Sequence, residues 1–140
     1  MKLNKKIKIL IAADGAAGSG KTSASKMLAK KYGFKILSSG ILYRFVALKL
    51  LNNKKNISNY SFLKKITKKI RSKDLKNKNL YSNKVTEFSS IISKQKLIRK
   101  LLKQYQKKFS KNRLAIIEGR DIGSVIVPNA DIKLFFKASL

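Results

Sequence analysis

An α/β fold with a parallel sheet and flanking helices is predicted by three observations on this 140-residue sequence. Segments of strand and helix character alternate from the start, a glycine-rich turn joins the first strand to the first helix, and strand-like runs return after a helical middle. A β-turn-α-β-turn-α order implies parallel strands joined by right-handed crossovers. The length fits one domain with a real hydrophobic core.

The first strand is expected at Ile7–Ala13, a nearly continuous apolar run of the kind found in strands covered on both faces. The basic start, Met1 to Lys6, gives the segment the outline of a signal peptide. Lys8 interrupts the apolar run, however, and Asp14-Gly15 closes it without a cleavage site, so a buried strand is the better reading. After the turn from Asp14 to Gly20, Lys21–Tyr32 carries Ala24, Met27, Leu28 and Tyr32 at helical spacing, with Gly33 as its stop. Phe34–Leu37 is a short second strand, and Ser38-Ser39-Gly40 turns the chain into a helix from Ile41 to about Leu51. Asn52–Asn59 is loop-like. Ser58 to about Arg71 has helical spacing at Phe62, Leu63, Ile66 and Ile70, and Ser72–Leu80 is a charged connector. Two amphipathic helices are expected at Ser82–Ile92 and Lys96–Phe109; Leu97, Ile98, Leu101, Leu102, Tyr105 and Phe109 share a core-facing stripe of the second. Strands return at Leu114–Ile117 and Ile132–Phe136, separated by a segment ending at Pro128.

Composition narrows the chemistry. The chain has no cysteine and no histidine, which excludes disulfides, thiolate metal sites, histidine triads and histidine-ligated metals. No apolar run is long enough to span a bilayer, and a cytoplasmic protein is expected. The net charge is +28, from 34 basic and six acidic residues. Such a charge attracts phosphates, on nucleotides, nucleic acid or anionic membrane. Lysine is spread along the whole chain beside Asn and Ser, however, which fits a compositional bias on a solvated surface better than a binding arm. Only five of the basic residues are arginines: Arg44, Arg71, Arg99, Arg113 and Arg120. Arginine alone offers a planar fork matched to phosphate, so each is more informative than any lysine here.

Gly15-Ala16-Ala17-Gly18-Ser19-Gly20-Lys21-Thr22 satisfies the phosphate-binding loop G-x-x-x-x-G-K-[ST] at every fixed position. Glycines let the backbone wrap round phosphates, successive N–H groups form an anion nest, and the following helix points its positive end at the same place. Lys21 is expected to reach the β and γ phosphates and Thr22 to ligate magnesium, with Ser23 closing the ATP-binding stretch. The motif lies between a strand and a helix, as the mechanism needs, and makes the expected fold a three-layer, P-loop NTPase-like one. A phosphate loop does not name the acceptor. Ser39 at a helix start with Arg44 one turn further in suits a second phosphate; a helix cap beside a surface arginine accounts for them equally well.

Taken together, Asp14-Gly15, Ser39-Gly40 with Tyr43-Arg44, and Gly119-Arg120-Asp121-Ile122-Gly123-Ser124 resemble the bacterial cytidylate kinase family in order and spacing. Val125-Ile126-Val127-Pro128, Ala130-Asp131, Ser89-Ser90 and Ile98-Arg99 continue the likeness, which covers most of the chain except Asn52–Asn79, where the family's substrate-domain insert is shortened. The resemblance implies transfer of the γ-phosphoryl group of Mg-ATP to CMP or dCMP by a monomer, without specific nucleic-acid or membrane partners. It implies that Ser39, Arg44 and Arg120 hold the CMP phosphate, and that Ser90, Arg99 and Asp121 read the cytosine. Lys21 and Arg120 are the expected catalytic residues. Asp14 and Glu118, at the ends of neighbouring strands, are candidates to orient magnesium through water; a solvent-facing turn residue is the alternative for Glu118. The organisation implied is a kinase core over 1–140, with about 52–110 as a mostly helical CMP-binding region.

The sequence also departs from the family. Ala16 stands where proline is usual, and Ser38 where an acidic residue is usual. The family continues beyond the equivalent of Leu140 with an arginine-rich lid and an adenine-binding loop, so truncation and a catalytically incomplete fragment are expectations beside the full kinase. Another small-molecule P-loop kinase and a nucleic-acid-binding protein complete the alternatives.

Overall fold

The apolar run near the start does form a doubly covered strand. In the computed structural model, which describes residues 3–138, β1 spans Ile9–Gly15, two residues further along than its apolar pattern suggests. Met1 and Lys2 of the basic start, and Ser139 and Leu140 at the other end, lie outside the described residues. β2 is Lys35–Ser38, β3 Leu114–Gly119 and β4 Ile132–Phe136. All pairings are parallel and the order is β2-β3-β1-β4. β1 therefore sits between β3 and β4 and delivers its C-terminal end to the middle of the sheet.

Strand periodicity sends alternate side chains to opposite faces. Leu10, Ala12, Ala115 and Ile117 pack on one face with Ile122, Ile126 and Val127. Ile11, Ala13, Leu114 and Ile116 pack on the other with Phe34, against Leu28, Ala29 and Tyr32 of α1, Lys21–Tyr32. Each fully buried aliphatic side chain contributes about 1.5–3 kcal/mol, which makes this double cover the main support of the sheet. Gly33 ends α1 as expected, at φ 82° with its N–H on the Ala29 carbonyl. The start of β4 is pinned by Asp131, whose Oδ2 accepts from the Leu10 N–H at 2.8 Å while its own N–H donates to the Leu10 carbonyl at 2.9 Å.

The chain forms two compact units, one made of the residues up to Ser39 with those from Gln106 onward, the other Gly40–Tyr105. The second is helical. It contains most of α2, Ser39–Asn52; α3, Tyr60–Lys68; α4, Asn83–Ile92; and the first ten residues of α5, Lys96–Phe109. Its buried side chains include Leu42, Val46, Leu63, Leu80, Ile92, Ile98 and Leu102. α3 is shorter than its apolar spacing suggests, and Asn59 sets its start by accepting from the Phe62 N–H. The charged connector is two 3₁₀ turns, Ser72–Lys76 and Lys78–Tyr81. Among the described residues no helix is long and apolar enough to cross a membrane.

Candidate active site

Five residues, Ala16 to Gly20, separate β1 from α1, and the backbone of this loop explains its glycines. Gly18 and Gly20 lie at φ 78° and 90°, conformations that L side chains rarely adopt. Gly15 is required by space: a Cβ there would sit 2.6 Å from the carbonyl oxygen of Phe136 at the end of β4. The loop delivers the chain to α1, whose N-terminus has no side-chain cap and no acidic residue in its first turn. Its first N–H groups are thus left for an external anion. The Ser19 hydroxyl in the same loop is buried without a hydrogen-bond partner.

Lys21, the first residue of α1, donates from Nζ to the Gly15 carbonyl at 2.6 Å and to the Gly119 carbonyl at 3.1 Å. The ammonium therefore bridges the ends of β1 and β3, beside the loop's N–H groups. Thr22 Oγ1 donates to Glu118 Oε1 at 3.4 Å. Glu118 is buried, at 4% exposure, because β3 runs two residues beyond the apolar segment that marks it in the sequence. A solvent-facing turn residue is thereby excluded. Its second oxygen, Oε2, is buried without a partner, which is costly for a carboxylate unless an external donor or cation satisfies it. A hydroxyl and a half-satisfied carboxylate fit a hydrated magnesium ion accompanying a triphosphate, oxygen ligands suiting that hard cation. No cluster of three or more acidic residues able to hold a metal occurs among the described residues, so such an ion would keep most of its water and phosphate ligands.

Asp14 behaves differently from Glu118. Its Oδ1 accepts from the Ile122 N–H at 2.7 Å and its Oδ2 from the Gly123 N–H at 2.8 Å. These are the first residues of a one-turn π-helix, Ile122–Ile126, a rare element often found at functional sites. Between this turn and β3 lie Arg120 and Asp121. Arg120 is exposed, and its guanidinium forms no hydrogen bond or ion pair among the described residues. Ser39 is buried at the start of α2; a Cβ on Gly119 would lie 3.1 Å from the Ser39 Cβ and 2.7 Å from Ile122 Cδ1. The first unit thus gathers the phosphate loop, Glu118, Ser39, Arg120 and Asp121 at the C-terminal ends of β1, β2 and β3, where ligands bind in open α/β sheets.

The remaining expected residues, Arg44, Ser90 and Arg99, belong to the second unit. Arg44 is half-buried in a prepared seat: NH1 donates to the Leu80 carbonyl at 3.0 Å and to Thr86 Oγ1 at 2.7 Å, and the guanidinium lies 5.3 Å from the centre of the Tyr81 ring. This seat is more than a surface arginine has. Arg99 donates to the Ser93 carbonyl at 3.1 Å, and the Ser93 hydroxyl donates to the Ser90 carbonyl at 2.8 Å, so Ser93 links Arg99 to the Ser90 main chain at the α4–α5 corner. The other two arginines are structural. Arg113 donates to the Asn4 and Ile7 carbonyls ahead of β1, and Arg71 pairs with Asp74 at 3.6 Å. Sequence reasoning missed the Lys21 bridge and the Asp14 acceptor pair, both of which join residues about a hundred positions apart.

Comparison with known proteins gives mutually consistent matches. The family model described as cytidylate kinase matches residues 11–140. A cytidylate kinase of Fusobacterium nucleatum subsp. nucleatum is 35% identical over 142 residues, covering 94% of this chain and 65% of the relative. One from Thermosipho africanus is 37% identical, covering 92% and 62%, and one from Chloroherpeton thalassium 35% identical, covering 94% and 61%. The chain therefore spans between 61% and 65% of the length of these curated relatives.

Proposed function

The chain belongs to the cytidylate kinase family, and from that premise we propose that it transfers the γ-phosphoryl group of ATP to CMP or dCMP, giving ADP and CDP or dCDP. The observation that carries the proposal is the Lys21 ammonium, held between the Gly15 and Gly119 carbonyls next to an uncapped helix N-terminus and an unpartnered Arg120. That arrangement supplies donors for two separate phosphates at one end of the sheet.

In the proposed reaction an oxygen of the CMP phosphate attacks the γ phosphorus in line, and ADP leaves. Little covalent chemistry falls to the protein; positioning and charge neutralisation dominate. The loop N–H groups from Gly15 to Ser23 bind the ATP phosphates. Lys21 exchanges a carbonyl partner for a phosphate oxygen and follows the charge as it moves to ADP. Thr22, through its hydroxyl, and Glu118, through water, would hold a magnesium ion accompanying ATP, which would supply charge neutralisation at the phosphates. Ser39, Arg44 and Arg120 bind the CMP phosphate and offset its repulsion from ATP. Ser90, Arg99 and Asp121 read the base, a carboxylate accepting from the cytosine amino group where uracil presents an acceptor instead. The absence of histidine suits a reaction with so little proton transfer.

Product identification with Mg-ATP across CMP, dCMP, UMP, AMP and shikimate tests this reading. CDP and dCDP are the expected products. Phosphorylation of AMP or shikimate in preference to CMP would reassign the chain to another small-molecule kinase, and nucleotide binding without transfer would leave it a binding module.

A further inference from the structure

Asp14 is 8% exposed, and across the sheet its backbone is level with Gly119. Both of its carboxylate oxygens are taken by main-chain N–H groups at 2.7 and 2.8 Å, a charge-assisted pair. The π-turn that receives them has no cap from its own preceding side chain, Asp121, so Asp14 supplies from β1 what the local sequence does not. Gly123 permits the approach, since a Cβ there would sit 3.3 Å from Asp14 Oδ2 and from the Lys133 stem. Ile122, fully buried, lies where a Cβ on Gly119 would be. The five residues from Gly119 to Gly123 are thus fixed at both ends, with Arg120 and Asp121 between them.

The same bonds close a ring. Asp14 is followed by Gly15, whose carbonyl accepts from Lys21; Lys21 also donates to the Gly119 carbonyl; Gly119 leads through Arg120 and Asp121 to Ile122, which donates back to Asp14. Lys21 faces the donor phosphates and Arg120 the acceptor phosphate in the function proposed above, on which this step rests. We infer that Asp14 is a positioning residue that sets the Arg120–Asp121 span against the phosphate loop, acting on acceptor binding rather than on magnesium.

The test compares wild type, Asp14→Asn and Gly123→Ala by calorimetric titration with CMP and with Mg–AMPPNP, and by amide hydrogen exchange at Ile122 and Gly123. An asparagine keeps one acceptor and turns an N–H towards a backbone N–H, so at least one bond is lost. The expected result is CMP affinity weaker by about tenfold, Mg–AMPPNP affinity and its magnesium midpoint within about threefold of wild type, and faster exchange at both amides. Gly123→Ala, which leaves the carboxylate in place, is expected to give the same split. Weakened Mg–AMPPNP binding with unchanged CMP binding would overturn the inference and return Asp14 to the metal. Should the wild type bind no CMP, the acceptor reading fails by itself, and unchanged amide exchange in Asp14→Asn then overturns the clamp. Should neither variant fold, the wild type still decides: the Ile122 and Gly123 amides must be protected, and exchange at unstructured rates contradicts the ring.

Discussion

Replacing Glu118 by glutamine should move stability and nucleotide binding in opposite directions. The side chain is 4% exposed, with Oε1 on Thr22 at 3.4 Å and Oε2 unpartnered. A buried polar atom without a partner costs about 1–3 kcal/mol, and more when it carries charge. Glutamine keeps the shape and leaves one orphan polar group, so the gain is the difference between a charged and a neutral orphan. Lys21, bonded to the adjacent Gly119 carbonyl, offsets part of the carboxylate's cost, which places the gain near the low end, about 1 kcal/mol. For a chain of this size that is about 4 °C in unfolding temperature. With Mg–ATP the sign reverses. Loss of a group that orients a metal's water typically weakens metal-dependent binding by about 10- to 100-fold. The assay is thermal unfolding in chelator, followed by magnesium titration of AMPPNP binding for both proteins. A variant less stable in chelator, with an unaltered magnesium midpoint, would refute the reasoning, because Glu118 would then be an ordinary core hydrogen-bonding residue.

Further outcomes follow from the same geometry. Gly15→Ala drives a Cβ to 2.6 Å from the Phe136 carbonyl oxygen, a main-chain atom that cannot swing aside; a loss of about 1–3 kcal/mol in denaturant unfolding is expected, together with weaker AMPPNP binding. Arg44→Lys abandons the fork that spans Leu80, Thr86 and the Tyr81 ring; CMP affinity should fall about tenfold or more although the charge is kept, and wild-type affinity in the variant would remove Arg44 from the site. Burial, and secondarily the charge of Asp74, raise the Tyr105 phenol above its ordinary 10.0. Below that value both folded and unfolded chains hold the proton. Above it the unfolded chain releases its proton first, so stability falls as pH rises past 10 and on through the folded value. Ultraviolet titration should show a late component for Tyr105 that is absent in Tyr105→Phe.

Much of this was legible in the residues, for reasons that are local. α1 is bracketed by Gly20 and Gly33, both left-handed in the structure, and α5 matches its apolar stripe from Lys96 to Phe109 because one face repeats at helical spacing. The parallel sheet follows from two strands with continuous apolar runs, which need cover on both faces. Less visible were features fixed by distant partners. Strand β3 continues through Glu118 because Ala13 and Ser38 pair with that residue on either side, so polarity alone misplaced its end. The π-turn at Ile122–Ile126 has no sequence signature; it is held by Asp14, more than a hundred residues earlier. The arginine count did not separate two classes that the structure does: Arg44 and Arg99 donate to carbonyls within the helical unit, and Arg71 and Arg113 bind the chain's own carboxylate and carbonyls around a connector and β1.

Side-by-side assay of CDP formation from Mg-ATP and CMP by this chain and by its Lys21→Ala variant tests the phosphoryl-transfer claim most directly. The account predicts CDP from the wild type and a rate lower by about 10²-fold or more in the variant, with CMP binding retained. Equal rates in the two proteins, or no CDP from a wild-type chain that binds both nucleotides, would contradict it.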